Sequence, residues 1–155
     1  MPTVDINVGA PLTGQFTAVL TDSSGIAPAD VIRTSDAFSI DCTWYIAGGL
    51  APALGGAWYV QAAFESIGPG AEFRTAEISV PLTGLAGAPP APGYSASISI
   101  PAGPNFPGAG GPLKVPPGRR NEPYQVTVLL AYTDVAGNPG PLAASVNLED
   151  LTIYA

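Results

Sequence analysis

The chain has 155 residues, room for one domain with a buried core but cramped for two. Its 19 glycines and 18 prolines approach the proportion at which disorder has to be considered, yet 46% hydrophobic and only 11% charged residues supply the apolar surface that disordered segments lack. The net charge is −7 and the only cationic side chains are Lys114, Arg33, Arg74, Arg119 and Arg120, so no basic face exists to neutralise phosphates, which argues against nucleic acid as a partner.

The opening M-P-T-V-D-I-N-V-G has neither the basic nor the apolar region of a signal peptide, and no apolar run approaches the roughly 18 residues that span a bilayer. No membrane insertion is expected. Synthesis in the cytoplasm is expected, with the final location open, an exported or assembled particle included. Val4, Ile6 and Val8 form a first short strand, and residues 15–21 (Q-F-T-A-V-L-T) a second, closed by the turn Asp22-Ser-Ser-Gly25. The stretch 28–35 is the one helix candidate, and it is short. Phe38, Ile40, Cys42, Trp44 and Ile46 then alternate with Ser39, Asp41, Thr43 and Tyr45, the pattern of a half-buried strand. Past two Gly-Gly pairs, Trp58, Val60, Ala62 and Phe64 alternate with Tyr59, Gln61, Ala63 and Glu65; this strand is expected beside the preceding one. Ala76, Ile78 and Val80 are expected inward against Thr75, Glu77 and Ser79, and Tyr94, Ala96, Ile98 and Ile100 inward against three outward serines, Ser95, Ser97 and Ser99.

Residues 124–148 spell a strand, a Gly137-Asn138-Pro139-Gly140 turn and a returning strand. Val146 and Leu148 lie in one phase and Leu151 and Ile153 in the other, so a β-bulge or an edge is expected at Glu149-Asp150. The Gly and Pro clusters punctuate these runs as turns. About seven to nine short strands with turn signals between them predict a single all-β domain over residues 1–155, an antiparallel sandwich or barrel. Ile6 to Gly14 and Ile78 to Gly84 share a strand followed by Pro-Leu-Thr-Gly, which reads as a recurring strand-exit turn.

The hairpin resembles the last two strands of bacterial immunoglobulin-like domains, through Tyr124-Gln-Val-Thr-Val128 and Thr133-Asp-Val-Ala-Gly-Asn138. The resemblance covers about 25 residues and implies an Ig-like β-sandwich in which Tyr124 sits at a tyrosine corner and Cys42 resembles the first cysteine of antibody domains. Two departures stand beside it. No second cysteine exists, and long Pro/Gly-rich loops extend the chain around 85–93 and 102–121. A jelly roll accommodates the same strand count. By analogy the resemblance implies a non-catalytic module of adhesins, surface assemblies or phage-like particles.

With no histidine and one cysteine, Ser-His-Asp and Cys-His machinery, His-ligated metals, four-cysteine zinc sites and iron-sulfur clusters are unavailable, and no cofactor is expected. Cys42, on an apolar strand face, reads as an inert core thiol. Asp41 and Glu65 are the pair a carboxylate-only hydrolase would use, although both read as solvated. Asp134 with Asn138, or Glu149-Asp150 with Asp22, offer weak calcium ligands that serve turn backbones equally well. Tyr45 and Tyr59 fall on the polar phase of their strands and make a candidate glycan platform, with a covered second layer as the plainer alternative. Arg119-Arg120 close a Gly-rich loop that lacks a phosphate-cradling pattern and reads as an ordered excursion or a partner arm. The expectation is a structural or protein-interaction module, not an enzyme, whose partners are protein subunits of its own or another kind. A carbohydrate-binding or adhesive module is the alternative.

Overall fold

The computed structural model describes residues 1–6, 12–48, 54–69, 72–82, 93–102, 115 and 118–154. Val8, parts of both Pro-Leu-Thr-Gly segments and most of the stretches 85–93 and 102–121 lie outside them. Among the described residues every regular element is a strand: β1 (Thr3–Asp5), β2 (Thr13–Asp22), β3 (Val31–Arg33), β4 (Phe38–Ala47), β5 (Ala57–Ser66), β6 (Phe73–Arg74), β7 (Ile78–Pro81), β8 (Tyr94–Ile100), β9 (Asn121–Thr133), β10 (Pro139–Asn147) and β11 (Leu151–Tyr154). No helix among them is long and apolar enough to cross a membrane.

The strands form a β-sandwich of two sheets. The first has the order β1-β2-β4-β8; the second runs β3-β11-β9-β5-β6, with β10 also on β9 and β7 also on β5. All pairs are antiparallel except β3 with β11, where Ile32 faces Ile153 in parallel register. The 28–35 helix candidate is thus replaced by the short strand β3. Parallel pairing here needs no crossover helix, because the chain between the two strands builds both sheets before it returns.

The expectation that the strands now seen as β4 and β5 are neighbours is overturned. They lie in different sheets and meet face to face, because each carries a full apolar stripe and such stripes bury more surface stacked than side by side. Trp44 meets Trp58 edge-on with ring centroids 6.2 Å apart, and Phe38 meets Phe64 the same way at 6.2 Å. Phe16 and Tyr94 complete the ring cluster around Trp44, and Tyr132 packs on Trp58. Phe16, Ile40, Trp44, Ile46, Trp58, Phe64, Tyr124, Leu130 and Leu151 are essentially removed from solvent. Aromatic pairs of this geometry add about 0.5–1.5 kcal/mol each beyond the area they bury.

Besides the register shift between Pro139 and Ala143 in β10, two bulges tune the second sheet. Asn147 faces Thr127 and Leu151 faces Tyr124, four steps against three, so the extra residue foreseen at Glu149-Asp150 is present. It keeps Leu148, Leu151 and Ile153 all buried. The second bulge was not foreseen: Arg74 faces Ala63 and Ile78 faces Val60, again four steps against three. The Thr75 N–H donates to Ala62 O at 2.9 Å, while its hydroxyl accepts the Ala62 N–H at 3.0 Å. Thr75 is therefore buried and Ala76 exposed, the reverse of the alternation read from the sequence. Counting each bulge-split pair as one ribbon reduces the eleven strands to nine, within the expected range.

Deleting Asp150 removes the extra residue and leaves Leu151 and Ile153 in the inward phase, so that variant should unfold cooperatively in urea within about 1 kcal/mol of the parent. Deleting Thr152 instead turns Ile153 outward and should cost about 2–5 kcal/mol. Equal losses from the two deletions would contradict the assigned bulge.

Candidate functional site

Separate sheets for β4 and β5 redistribute the residues singled out from sequence. Tyr45 and Tyr59 are both half-buried, but each points away from the shared core, Tyr45 from the first sheet and Tyr59 from the second. They lie on opposite outer faces and form no joint platform. Asp41 and Glu65 are divided in the same way, so no two-carboxylate cleft arises from them.

Asp134 and Asn138 do come together, in the turn between β9 and β10. Asp134 Oδ1 accepts the backbone N–H groups of Ala136 and Asn138, both at 2.9 Å, and Oδ2 accepts Asn138 Nδ2 at 3.4 Å. Gly137 completes the turn with φ +84°, a conformation that side chains disfavour. These hydrogen bonds, that from the Asn138 backbone foremost, hold the Asp134 carboxyl below its ordinary range. Asp22 does the same work in its own turn, with Oδ1 accepting Ser24 and Ile26 N–H at 2.8 and 2.9 Å. No group of three His, Cys, Asp or Glu side chains that could hold a metal occurs among the described residues.

Cys42 is 1% exposed on the inner face of β4. Burial, with a smaller contribution from the Asp41 charge, pushes its thiol up to about 12, so it stays protonated and unreactive at neutral pH.

The outer face of the first sheet carries a lattice of small hydroxyl side chains. Val19, Asp41 and Ser97 share one cross-strand row, Thr21, Ser39 and Ser99 the next, and Thr17, Thr43 and Ser95 another. Asp41 is the one charge within these rows and is spent internally, accepting Thr21 Oγ1 at 2.8 Å, Ser97 Oγ at 2.7 Å and Ser39 Oγ at 3.4 Å. Its carboxylate thus binds β2, β4 and β8 together.

The edges of the sandwich are unequal. An exposed strand edge invites pairing with another chain unless it is short, bulged, charged, interrupted by proline or covered. The β2 edge is covered by β1 and then by the segment holding Pro28, where Ala29 N–H donates to Leu20 O at 2.9 Å. The β3 edge is three residues long and bears Arg33. The β6-β7 edge has the Thr75 bulge, Arg74, Glu77 and Pro81, and β10, laddered only to β9, carries Pro139, Pro141 and a register shift between Pro139 and Ala143. In contrast, β8 runs seven residues, Y-S-A-S-I-S-I, with no charge, no proline and an unbroken register on β4. At the sandwich corner β7 approaches β8 but makes no ladder with it. This edge is the candidate functional site. The periodicity of Tyr94 to Ile100 gave away the strand, and its lack of charge was visible too; its position at a sheet edge was not.

Neither a protein-family model nor a curated protein sequence matches the chain.

In the native protein Cys42 should react with a thiol reagent only as fast as the domain opens, and at once in urea; prompt native labelling would contradict its burial. Because the Asp134 pKa is depressed by folding, its stabilisation is present above about pH 4 and is lost as pH falls through the folded value. Asp134→Asn should accordingly show a shallower loss of thermal stability on acidification than the parent.

Proposed function

We propose that the chain is a non-catalytic immunoglobulin-like module and the subunit of a larger assembly, joined to a second copy of itself through strand β8. The observation behind this reading is the β8 edge, free of charge, proline and bulge, set against four edges that are shortened, bulged, interrupted by proline or covered. The β8 sequence is compatible with its own antiparallel copy. Pairing about Ser97 sets Ser95 against Ser99 and Ala96 against Ile98, with no like charges opposed and no bulky group on the outer face. The adjoining hydroxyl lattice requires little desolvation of charge, since Asp41 is already hydrogen-bonded.

Strand order supports the immunoglobulin-like part. The strands β2, β4 and β8 lie where such domains have A, B and E, and β5, β9 and β10-β11 where they have C, F and G; β6-β7 extends the second sheet as C′ does. In this reading Cys42 on β4, Trp58 on β5 and buried Tyr124 at the start of β9 correspond to that family's landmarks, with Val126, two residues beyond the tyrosine, in place of the second cysteine. The glycan and hydrolase alternatives relied on the pairs Tyr45/Tyr59 and Asp41/Glu65, each now divided between opposite faces.

Light scattering after size exclusion, with electron microscopy of any larger species, should find the parent chain self-associated. The Ser95→Lys/Ser99→Lys double variant puts lysine opposite lysine across the two-fold and should be monomeric with an unchanged far-UV spectrum. In Ser95→Lys/Ser99→Glu the opposed charges attract, and association should return. A monomeric parent at high concentration, or association indifferent to both variants, would refute this edge.

A further inference from the structure

A groove of about 480 Å³ opens on the second sheet, away from β8, lined by Val31, Arg119, Arg120, Asn121, Thr152 and Tyr154. It lies where β3, β11 and the start of β9 run side by side: Val31 faces Thr152, and Tyr154 faces both Arg33 and Asn121. Three of the four arginines in a chain of net charge −7 are thereby gathered at one end of one sheet, and the fourth, Arg74, lies on β6.

Two of these arginines are held. Arg33 Nε donates to the Tyr154 hydroxyl at 2.7 Å and its guanidinium carbon stands 5.5 Å from the ring centroid, which fixes the aromatic wall. Arg119 Nη1 donates to Glu122 Oε2 at 3.1 Å, and the Ser66 hydroxyl donates to Glu122 Oε1. Glu122 is fully buried in β9, whereas about half of the Arg119 side chain remains in solvent. Gly68 leans on the pair so closely that a Cβ there would lie 2.6 Å from Glu122 Oε1 and 2.8 Å from Arg119 Nη1. A buried carboxylate is costly and gives poor value for stability alone. What it does achieve is orientation: one guanidinium nitrogen is anchored on a side chain that stays half in solvent, with further N–H donors to offer. Arg120, exposed beside it, has no ion-pair partner among the described residues.

We propose that this groove binds a short protein segment that presents carboxylates next to apolar side chains. Guanidinium forks match the planar carboxylate, while Val31 and the Tyr154 ring supply a wall for apolar neighbours. The acidic remainder of the molecule repels long polyanions but is screened over the length of a short segment. This site is independent of the β8 edge, and the monomeric Ser95→Lys/Ser99→Lys variant retains it.

Fluorescence anisotropy of the full chain with a fluorescein-labelled alternating Glu-Val hexapeptide tests the proposal. Saturable binding is expected, weakening as ionic strength rises, with the identically labelled Gln-Val hexapeptide bound at least about tenfold more weakly. Arg120→Glu, at an exposed residue with no ion pair among the described residues, should lower affinity about tenfold or more with an unchanged melting temperature. Arg119→Gln should weaken binding too, though it also strands Glu122. Absence of binding by the parent, equal binding of the two peptides, or an Arg120→Glu variant that binds like the parent would overturn the assignment. So would inorganic phosphate that displaces the peptide at concentrations where acetate does not, since the site would then be one for phosphate.

Discussion

The contact of Trp44 with Trp58, repeated by Phe38 with Phe64, is the constraint on which the remaining architecture depends. Two consecutive ten-residue strands could have zipped into a hairpin. Their aromatic stripes instead face one another, so the connection must cross from sheet to sheet. Once that is fixed, Tyr45 and Asp41 belong to one outer surface, Tyr59 and Glu65 to the other, and the chain must recruit distant strands to flank each. The first sheet gains β2 and β8; the second gains β9 with its returning partner.

The polar groups inside this frame serve position more than reaction. Thr75 substitutes its hydroxyl for a ladder carbonyl, Asp41 joins three strands by accepting their hydroxyls, and Asp134 and Asp22 satisfy the N–H groups of tight turns. Each carboxylate is thereby committed to neighbours that are already part of the scaffold. Among the described residues only Glu122 is buried as a charge, and its ion-pair partner is the arginine that reaches the solvent.

Period-two alternation shows which way a side chain points, and on that it served well: the inward sets of β4, β5 and β8 were all legible, as was the phase change at Glu149-Asp150. It says nothing about which strand lies alongside. That is why β4 and β5 read as neighbours, and why the Tyr45/Tyr59 and Asp41/Glu65 pairs looked real. The Thr75 bulge escaped notice because a threonine and an alanine side by side give almost no contrast between inside and outside. The arginine groove was illegible for another reason. Arg33 and Tyr154 are 121 positions apart, and only a parallel pairing between strands from the two halves of the chain brings them together.

That parallel pair also sets an order of events during synthesis. Residues 31–33 are made 121 positions before residues 152–154, their ladder partner among the described residues. Closing so long a loop carries a large entropic cost, recovered only when β9 is already in place to seat β11. The second sheet therefore cannot acquire its β3 border until β11 has been made and seated on β9, so this pairing comes late in the assembly of the sandwich.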